Sequence, residues 1–158
     1  RQSLFFRMIR SGQAPIVGDG ENKRSMSFIE NICQGLIRAS IYEKAIGQIY
    51  WIADEKPYSM NQIIDTIEQL LEYEFKLPVK HKRLNLPNFA SQIAYGIDWT
   101  LQNFGLYHQK IHVLSEMNKT IACSINKAKK ELEYKPKFDL INGMRESISW
   151  AINNNQNI

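Results

Sequence analysis

The sequence predicts an α/β fold that is mostly helical and contains a few short strands. Several stretches place apolar residues three and four positions apart, which is the spacing of helices that bury one face. Short runs rich in β-branched and aromatic residues, bounded by turn residues, separate these stretches as strands would. One such run, Gly47–Asp54, leads through a short loop into a helical pattern that begins at Ser59. A strand followed closely by a helix is half of a βαβ unit, which indicates an α/β protein.

The first 46 residues predict two helices separated by a short strand. A helix over residues 1–11 ends at Ser11-Gly12, and Pro15–Val17 predicts a strand before the turn Gly18-Asp19-Gly20. A helix over 29–43 is indicated by apolar residues at helical spacing: Ile29, Ile32, Cys33, Leu36 and Ile37.

The rest of the chain predicts four further helices, one short helix and two weaker strands. Ser59 and Gln62 form a capping box that opens a helix reaching about residue 75. The later elements are a strand over Pro78–Leu84, a helix over Pro87–Gly105, a short helix over 109–117, a strand over Thr120–Cys123, a helix from Ser124 to Leu132 and a helix from Asp139 to about Ile152. In the Pro87–Gly105 helix the apolar residues that share one face are Phe89, Ile93, Ile97, Leu101 and Phe104. Trp51 and Trp150 fall within apolar patterns, so we expect them in the core.

Composition limits the class of protein. The 158 residues, 44% hydrophobic and 23% charged, suit a single globular domain of ordinary composition. There is no apolar run of about 18 residues and no leader pattern, so we expect a cytoplasmic protein without membrane association. Cys33 and Cys123 stand alone in apolar surroundings, which predicts buried thiols rather than a disulfide or zinc site. Because Arg1 lies inside a helical pattern, we expect the chain to be part of something longer.

Two charge patterns favour neither metal nor nucleic acid. His108 and His112 are four residues apart, but no glutamate lies between them and the third histidine, His81, is remote. The net charge of +4 is modest. A basic run is more typical of a solvated face than of a nucleic-acid patch: Lys127, Lys129, Lys130, Lys135 and Lys137.

The glycine turn and Arg24 are the candidate ligand-binding features. Gly18-Asp19-Gly20 has the first half of a dinucleotide loop, but the third glycine is missing and residues 24–28 intervene before the helix. We therefore do not expect a nicotinamide site there. The guanidinium of Arg24 could hold a phosphate or carboxylate. A local ion pair with Asp19 or Glu21 is equally compatible with the spacing.

Four segments together resemble a known family. They are Pro15–Asn31, Gln48–Asp54 with Ser59 opening the next helix, Ser124–Pro136, and Asp139–Trp150. In this order and spacing they are similar to the C-terminal half of the extended short-chain dehydrogenases/reductases, the family of NAD-dependent nucleotide-sugar epimerases and dehydratases. Glu133 stands where that family usually has glycine.

The resemblance implies how the chain contributes to an enzyme. In that family the N-terminal half carries a glycine-rich cofactor loop and a Tyr-x-x-x-Lys pair, and none of the seven tyrosines here has a lysine four residues later. NAD or NADP would then be bound mainly by a missing N-terminal half. Residues 1–158 would form a single substrate-binding portion that includes a late strand and helix of the Rossmann sheet, at about residues 48–75.

The resemblance also implies substrate contacts. Arg24 matches the arginine that pairs with the nucleotide diphosphate, while Val17 and Leu4 match positions that flank the same ligand. Arg83 is a poorer match to a second phosphate-binding arginine, because Leu84-Asn85 follows it instead of Gly-Asp.

The resulting expectation is the substrate-binding portion of an NAD(P)-dependent nucleotide-sugar epimerase or dehydratase, inactive in isolation. One alternative is a portion of a hydroxysteroid-dehydrogenase-like or ketone reductase. Another is a non-catalytic binding or scaffold domain. We expect a small-molecule substrate and no nucleic acid. Because the strand at 48–52 would leave an unpaired edge and an uncovered apolar helix face, we also expect a homo-oligomer or association with the N-terminal half.

Overall fold

Seven α-helices and four short strands form the part of the chain that the structure describes. This computed structural model describes residues 2–158, and the side chains of all of these except 109, 110 and 113. The helices are α1 (Gln2–Arg10), α2 (Ile29–Ile41), α3 (Met60–Gln69), α4 (Asn88–Asn103), α5 (Gln109–Glu116), α6 (Asn126–Leu132) and α7 (Leu140–Asn153). The strands are β1 (Ala14–Val17), β2 (Lys23–Arg24), β3 (Tyr58–Ser59) and β4 (Arg83–Leu86). The prediction of a mostly helical α/β fold with a few short strands is confirmed.

The strands form two small sheets that share the stretch 14–24. β1 pairs in parallel with β4, with Ala14 opposite Arg83 and Val17 opposite Leu86. β2 pairs antiparallel with β3, so that Arg24 faces Tyr58, and Arg24 also bridges Ile121 in parallel. Both sheets therefore start from one short stretch of chain.

The main core lies where α1, α3 and α7 pack together. Its largest members are fully buried apolar side chains: Phe6, Ile9, Ile64, Ile67, Leu71 and Ile148. The capping box is formed as predicted, because Ser59 Oγ accepts from Gln62 N at 3.2 Å and Gln62 Oε1 accepts from Ser59 N at 3.0 Å. Asp139 caps α7 by accepting from Asn142 N at 2.9 Å.

A buried asparagine joins α2 to two distant segments. Asn31 is 1% exposed, and its Nδ2 donates to Asp54 Oδ1 at 2.8 Å and to Phe138 O at 2.9 Å. Its Oδ1 accepts from the amides of Lys137 and Phe138 at 2.9 and 3.2 Å. All the hydrogen-bonding capacity of this amide is thus used to fix the loop before α7 against α2.

A second, smaller core lies under α6. It contains Ala53, Leu132 and Tyr134, and Tyr134 donates its hydroxyl to Ala53 O at 2.8 Å. α6 ends at Glu133, which adopts the left-handed conformation at φ +52° in place of the usual glycine. The prediction that Ser124 caps α6 is wrong by one residue, since Ile125 holds that position and Ser124 Oγ accepts from Asn126 N.

Several strand predictions need correction. Gly47–Asp54 forms no strand, because the described residues provide no neighbouring strand to pair with it, and Asp54 N donates only to Met26 O. Thr120–Cys123 is reduced to the single bridge at Ile121. The strand expected over Pro78–Leu84 begins instead at Arg83, where the chain comes alongside β1.

Burial of the apolar residues also departs from expectation. Cys33 is exposed and Cys123 is half-buried, so the prediction of two buried thiols is wrong. Trp51 and Trp150 are exposed rather than in the core. The apolar stripes of α2 and α4, for which helical spacing predicts a shared face, are largely exposed. The sequence pattern identifies an apolar face, but burial needs a second element to cover it, and none of the described residues does so.

No helix within residues 2–158 is long and apolar enough to cross a membrane.

Candidate functional site

The glycine turn after β1 is shaped by two asparagines. Gly18 and Gly20 both have positive φ, at +76° and +74°, a region that disfavours side chains. A Cβ at Gly18 would lie 2.3 Å from Asn88 Oδ1, and one at Gly20 would lie 2.4 Å from Asn61 Oδ1. The turn therefore needs glycine for its backbone conformation and for the close approach of these side chains.

The turn is fastened to the start of α3. Asn61 donates its backbone amide to Gly20 O at 3.1 Å and its Nδ2 to Asp19 O at 2.8 Å and to Glu21 Oε1 at 2.7 Å. Met60 N donates to Asn22 O. A dinucleotide pyrophosphate would have to displace the Asn61 side chain, so the turn does not fit that group.

Arg24 lies at the C-terminal end of α5. β2 brings its guanidinium there, and Nη2 donates to Glu116 O at 2.8 Å and to Met117 O at 3.4 Å. Asn22 Nδ2 donates to the same Met117 carbonyl at 2.9 Å. The last carbonyls of a helix lack partners within the helix and carry partial negative charge, so a cation is favourable at this position.

The charge of Arg24 has no carboxylate partner among the side chains that the structure describes. The ion pair considered with Asp19 or Glu21 is not formed, because Asp19 Oδ1 accepts from Glu21 N and Glu21 Oε1 from Asn61. Partial burial lowers the pKa of Arg24, and the nearby Glu116 carboxylate opposes this effect. Both hydrogen bonds of its guanidinium to the described residues come from Nη2. Nε and Nη1 donate no hydrogen bond to the described residues.

Arg83 differs from Arg24 because carboxylates already surround it. Its Nη2 contacts Asp65 and lies 3.3 Å from Glu68 Oε2, while Nη1 donates to Asn61 Oδ1 at 3.3 Å. Burial lowers the pKa of Arg83, but these two carboxylates raise it by more. Its charge is therefore balanced within the chain.

The structure distributes the other predicted contact residues. Leu4 is half exposed on α1, and Val17 is buried at the end of β1. Val17 and Arg83 lie at opposite ends of the β1–β4 sheet, whereas Arg24 lies in the β2–β3 sheet. Arg24 is thus the strongest candidate of the four for binding an anion.

A buried aspartate on α4 was not anticipated from the sequence. Asp98 is 4% exposed, and its Oδ2 lies 2.8 Å from His112 Nδ1 and accepts from Gln102 Nε2 at 2.8 Å. Its Oδ1 has no partner among the described residues. The only sequence signal for the burial of Asp98 was its position opposite the apolar stripe of α4. Within the described part of the chain, no three His, Cys, Asp or Glu side chains come together as metal ligands would.

A cavity of about 230 Å³ lies between α2 and α7. Its walls include the apolar side chains of Met26, Phe28, Ile32, Leu140 and Met144. Its polar lining includes the carboxyl groups of Asp54 and Asp139. The pKa of Asp54 is raised, mainly by burial, and the hydrogen bond from Asn31 partly lowers it. Two carboxyl groups disfavour an anionic ligand in this cavity.

Comparisons with known proteins identify the fold. No protein-family model matches the chain. An uncharacterized protein, y4nL, of Sinorhizobium fredii is 49% identical over 156 residues, which are 99% of this chain and 44% of that protein. The 3beta-hydroxysteroid-dehydrogenase/decarboxylase isoform 1 of Arabidopsis thaliana is 27% identical over 88% of this chain and 34% of its own length.

Among solved structures, UDP-glucuronic acid 4-epimerase from Bacillus cereus, in complex with UDP-glucuronic acid and NAD, superposes with a TM-score of 0.61 at 18% identity. The match covers 94% of this chain and 38% of the epimerase. Other epimerase and dehydratase structures match with similar TM-scores. The chain has the fold of the C-terminal part of an extended short-chain dehydrogenase/reductase (SDR).

The extended SDR fold agrees with the resemblance drawn from the four sequence segments. The chain spans less than half the length of the relatives it matches. Asn31, the last residue of the segment Pro15–Asn31, accepts hydrogen bonds from the amides of residues 137 and 138, which lie between the segments Ser124–Pro136 and Asp139–Trp150. These bonds hold the start of α2 against the loop that precedes the last helix.

Proposed function

We propose that this chain is the substrate-binding portion of an NAD(P)-dependent nucleotide-sugar epimerase or dehydratase, and that Arg24 binds the diphosphate of the substrate. The observation that carries this proposal is the half-buried charge of Arg24, which has no carboxylate partner among the described side chains. The B. cereus epimerase with the same fold was solved with UDP-glucuronic acid and NAD, which supports a nucleotide sugar as the ligand.

The environment of Arg24 suits a phosphate. A guanidinium presents a planar fork of donors that matches phosphate oxygens and gives short, charge-assisted hydrogen bonds. Because Nη2 is already fixed on Glu116 O and Met117 O, the side chain loses little conformational freedom when Nε and Nη1 bind a ligand. Leu4 and Val17 are proposed to flank the nucleoside. Arg83 is proposed only as an outer contact, because Asp65 and Glu68 hold its charge.

The cofactor and the hydride chemistry are proposed to belong to a separate N-terminal half. NAD(P) accepts or donates the hydride in such enzymes. This chain has no Tyr-x-x-x-Lys pair, and the Asn61 side chain binds the Gly18–Gly20 turn. The role of its residues is then to bind and orient the nucleotide sugar, which supplies positioning rather than chemistry. The chain alone should be inactive.

The exposed surface beside α2 supports association with that half. Ile46, Ile49 and Trp51 are 79%, 82% and 67% exposed in the segment where the sequence predicted a strand. Ile37 of α2 is exposed nearby in sequence. Exposed apolar surface of this kind marks an interaction site. We propose that the segment at about 48–52 pairs as a strand with the sheet of the N-terminal half, and that α3 is the helix that follows it.

The diphosphate site is tested by titrating uridine diphosphate into the purified protein by calorimetry. Arg24→Ala should weaken binding about 10- to 100-fold, as expected for losing hydrogen bonds from a charged donor worth about 1.5–3 kcal/mol. Arg24→Lys keeps the charge without the fork and should fall between. Arg38→Ala removes the same charge from the surface of α2 and should leave binding unchanged. Equal affinity for Arg24→Ala and the parent protein would refute the assignment.

The titration also separates the alternatives. The likeness to the Arabidopsis steroid dehydrogenase/decarboxylase favours, as second candidate, a reductase of steroid-like or other apolar ketones. That function would give binding of a steroid and none of uridine diphosphate. A non-catalytic scaffold would bind neither, and no glycine-rich loop or Tyr-x-x-x-Lys pair would be encoded upstream of Arg1.

A further inference from the structure

A row of carboxylates beginning on α3 binds two basic side chains. Asp65, Glu68 and Glu72 lie three and four positions apart, so they share one side of α3 and of the helical turn that follows it. Arg83 Nη2 contacts Asp65 and lies 3.3 Å from Glu68 Oε2. His81 places Nδ1 3.6 Å from the same Glu68 oxygen and Nε2 3.1 Å from Glu72 Oε1. We call these five side chains the α3 charge row.

Glu68 is the carboxylate that both basic groups share. It is 7% exposed, and its Oε2 is the oxygen that approaches both Arg83 and His81. Its Oε1 is buried and has no hydrogen-bond partner among the described residues. A buried carboxylate depends on its immediate neighbours to balance its charge. A change of charge at His81 therefore alters how strongly Glu68 holds Arg83.

His81 is the member of the row whose charge changes near neutral pH. The hydrogen bond to Glu72 raises the pKa of His81, desolvation opposes this effect, and the charges of Glu72 and Glu68 raise the pKa further. The backbone of His81 has φ +48°, in the left-handed region that is uncommon for residues with a side chain. The imidazole is thus held between two carboxylates and is charged at low pH and neutral at high pH.

The charged groups of the neighbouring segments have other contacts. Lys80 and Lys82 flank His81 in sequence, but their Cβ atoms lie beside Gly12, after the end of α1. Arg10 of α1 donates to two main-chain carbonyl groups. Glu21 of the glycine turn accepts from an amide side chain of α3 at 2.7 Å. The charge on the imidazole is therefore felt mainly by the carboxylates and the guanidinium of the α3 charge row.

We propose that the α3 charge row is a pH-sensitive switch: neutral His81 leaves Glu68 to hold Arg83, whereas protonated His81 draws Glu68 away and frees Arg83 to bind a phosphate group. Protonation changes the net charge of the row from −2 to −1, because three carboxylates then face two cations instead of one. An anion beside Arg83 is repelled less in that state. The inference rests on the proposed diphosphate site, in which Arg83 is an outer contact.

Titration with UDP-glucose at about pH 6 and about pH 8.5 tests the switch. UDP-glucose is used because its diphosphate is esterified at both ends and keeps a constant charge over this range, unlike that of uridine diphosphate. The parent protein should bind about 5-fold more tightly at the lower pH, a modest coupling because the imidazole is half exposed and screened. His81→Gln should bind with the same affinity at both pH values. A parent affinity that does not depend on pH would overturn the inference.

Two carboxylate variants separate the parts of the switch. Glu68→Gln releases Arg83, so its affinity at the higher pH should rise to that of the parent at the lower pH. Glu72→Gln removes the main support of the His81 proton but leaves Glu68 on Arg83, so the pH dependence should move to lower pH. Glu74→Gln is the matched control, because this carboxylate pairs with α7, and it should behave like the parent. Glu68→Gln binding no more tightly than the parent at the higher pH would contradict the switch.

Nuclear magnetic resonance tests the switch without a ligand. In protein labelled at histidine, the His81 signal is assigned by its loss in His81→Gln, and the midpoint of its titration is measured. Arg83→Gln removes a competitor for Glu68 and should raise the midpoint, whereas Glu68→Gln should lower it. Midpoints that are unchanged in both variants would overturn the switch alone.

The failure of the switch is distinguishable from the failure of the proposed function. Arg24→Ala should weaken UDP-glucose binding by the same factor at both pH values, because it leaves the α3 charge row intact. If Arg24→Ala weakens binding but the parent shows no pH dependence, the proposed function stands and the switch is refuted. If UDP-glucose binds at neither pH, the proposed function is refuted, and with it the control of phosphate binding by His81.

Discussion

Replacing Asn31 with alanine should cost far more stability than truncating any exposed side chain of α2. The change removes both hydrogen bonds donated by Nδ2 and both accepted by Oδ1. An unsatisfied buried polar group costs about 1–3 kcal/mol. The amides of residues 137 and 138 are only partly buried and can regain water, so we count about two full penalties. The expected loss in free energy of unfolding is about 3–5 kcal/mol, a large share of the about 5–15 kcal/mol typical of a domain.

Urea unfolding followed by circular dichroism at 222 nm measures this loss. Gln34→Ala is the matched control, because Gln34 lies one turn later on α2 and accepts a single bond, from Lys135 N at 2.9 Å, at an exposed site. Its removal should cost less than about 1 kcal/mol. If Asn31→Ala lost no more than Gln34→Ala, the four bonds would not fix the loop before α7, and the reasoning would be refuted.

Two further outcomes follow from buried and strained positions. Burial raises the pKa of Asp54, so the folded chain holds this proton more tightly than the unfolded chain, and ionisation costs stability as the pH rises through the folded pKa. The stability of Asp54→Asn relative to the parent should therefore increase between about pH 4 and pH 8 in urea titrations, and a constant difference would contradict this. Gly20→Ala should lower the unfolding temperature more than Gly47→Ala, because both sites have positive φ but only the first would set a Cβ against Asn61. Equal losses, measured by thermal melts, would show that the contact is relieved at no cost.

Local signals in the sequence predicted the helices well. The Ser59–Gln62 capping box and the Asp139 cap join residues three positions apart. The hydrogen bonds that begin each helix therefore lie within a few residues of sequence. The end of α6 could not be predicted from such local signals. Glu133 takes a left-handed conformation that sequence rules assign to glycine, and the buried contacts of Leu132 and Tyr134 on either side hold it there.

Burial could not be predicted from periodicity. The stripes on α2 and α4 are apolar as expected, yet Leu36 and Ile93 are 65% and 58% exposed. A helical pattern reports which side avoids water, but the partner that covers it need not lie in the same chain. The unformed strand at Gly47–Asp54 has the same cause, since a strand exists only when a neighbour supplies its hydrogen bonds.

The candidate site was predictable only in part. Arg24 stood out by its place after the glycine turn, but its partners at residues 116 and 117 are about ninety positions away and are main-chain carbonyls, which leave no mark in a sequence. The charge of Arg83 is neutralised by Asp65 and Glu68, which approach it from α3, and this approach is not visible in the sequence. The distinction between a free and a neutralised arginine therefore required the structure.

The two attachment points of the α4–α5 hairpin make it a modular unit. At its start, Gly18 N donates to Leu86 O at 2.9 Å, and at its end Asn22 and Arg24 hold the carbonyl of Met117. Both ends are thus tied to one stretch of seven residues, 18–24. The main core contains no residue of the hairpin, so we expect that the hairpin can be exchanged between these two anchors with little effect on that core. A new ligand or partner specificity could then arise through changes confined to about thirty contiguous residues, those of the α4–α5 hairpin, while the rest of the fold is kept.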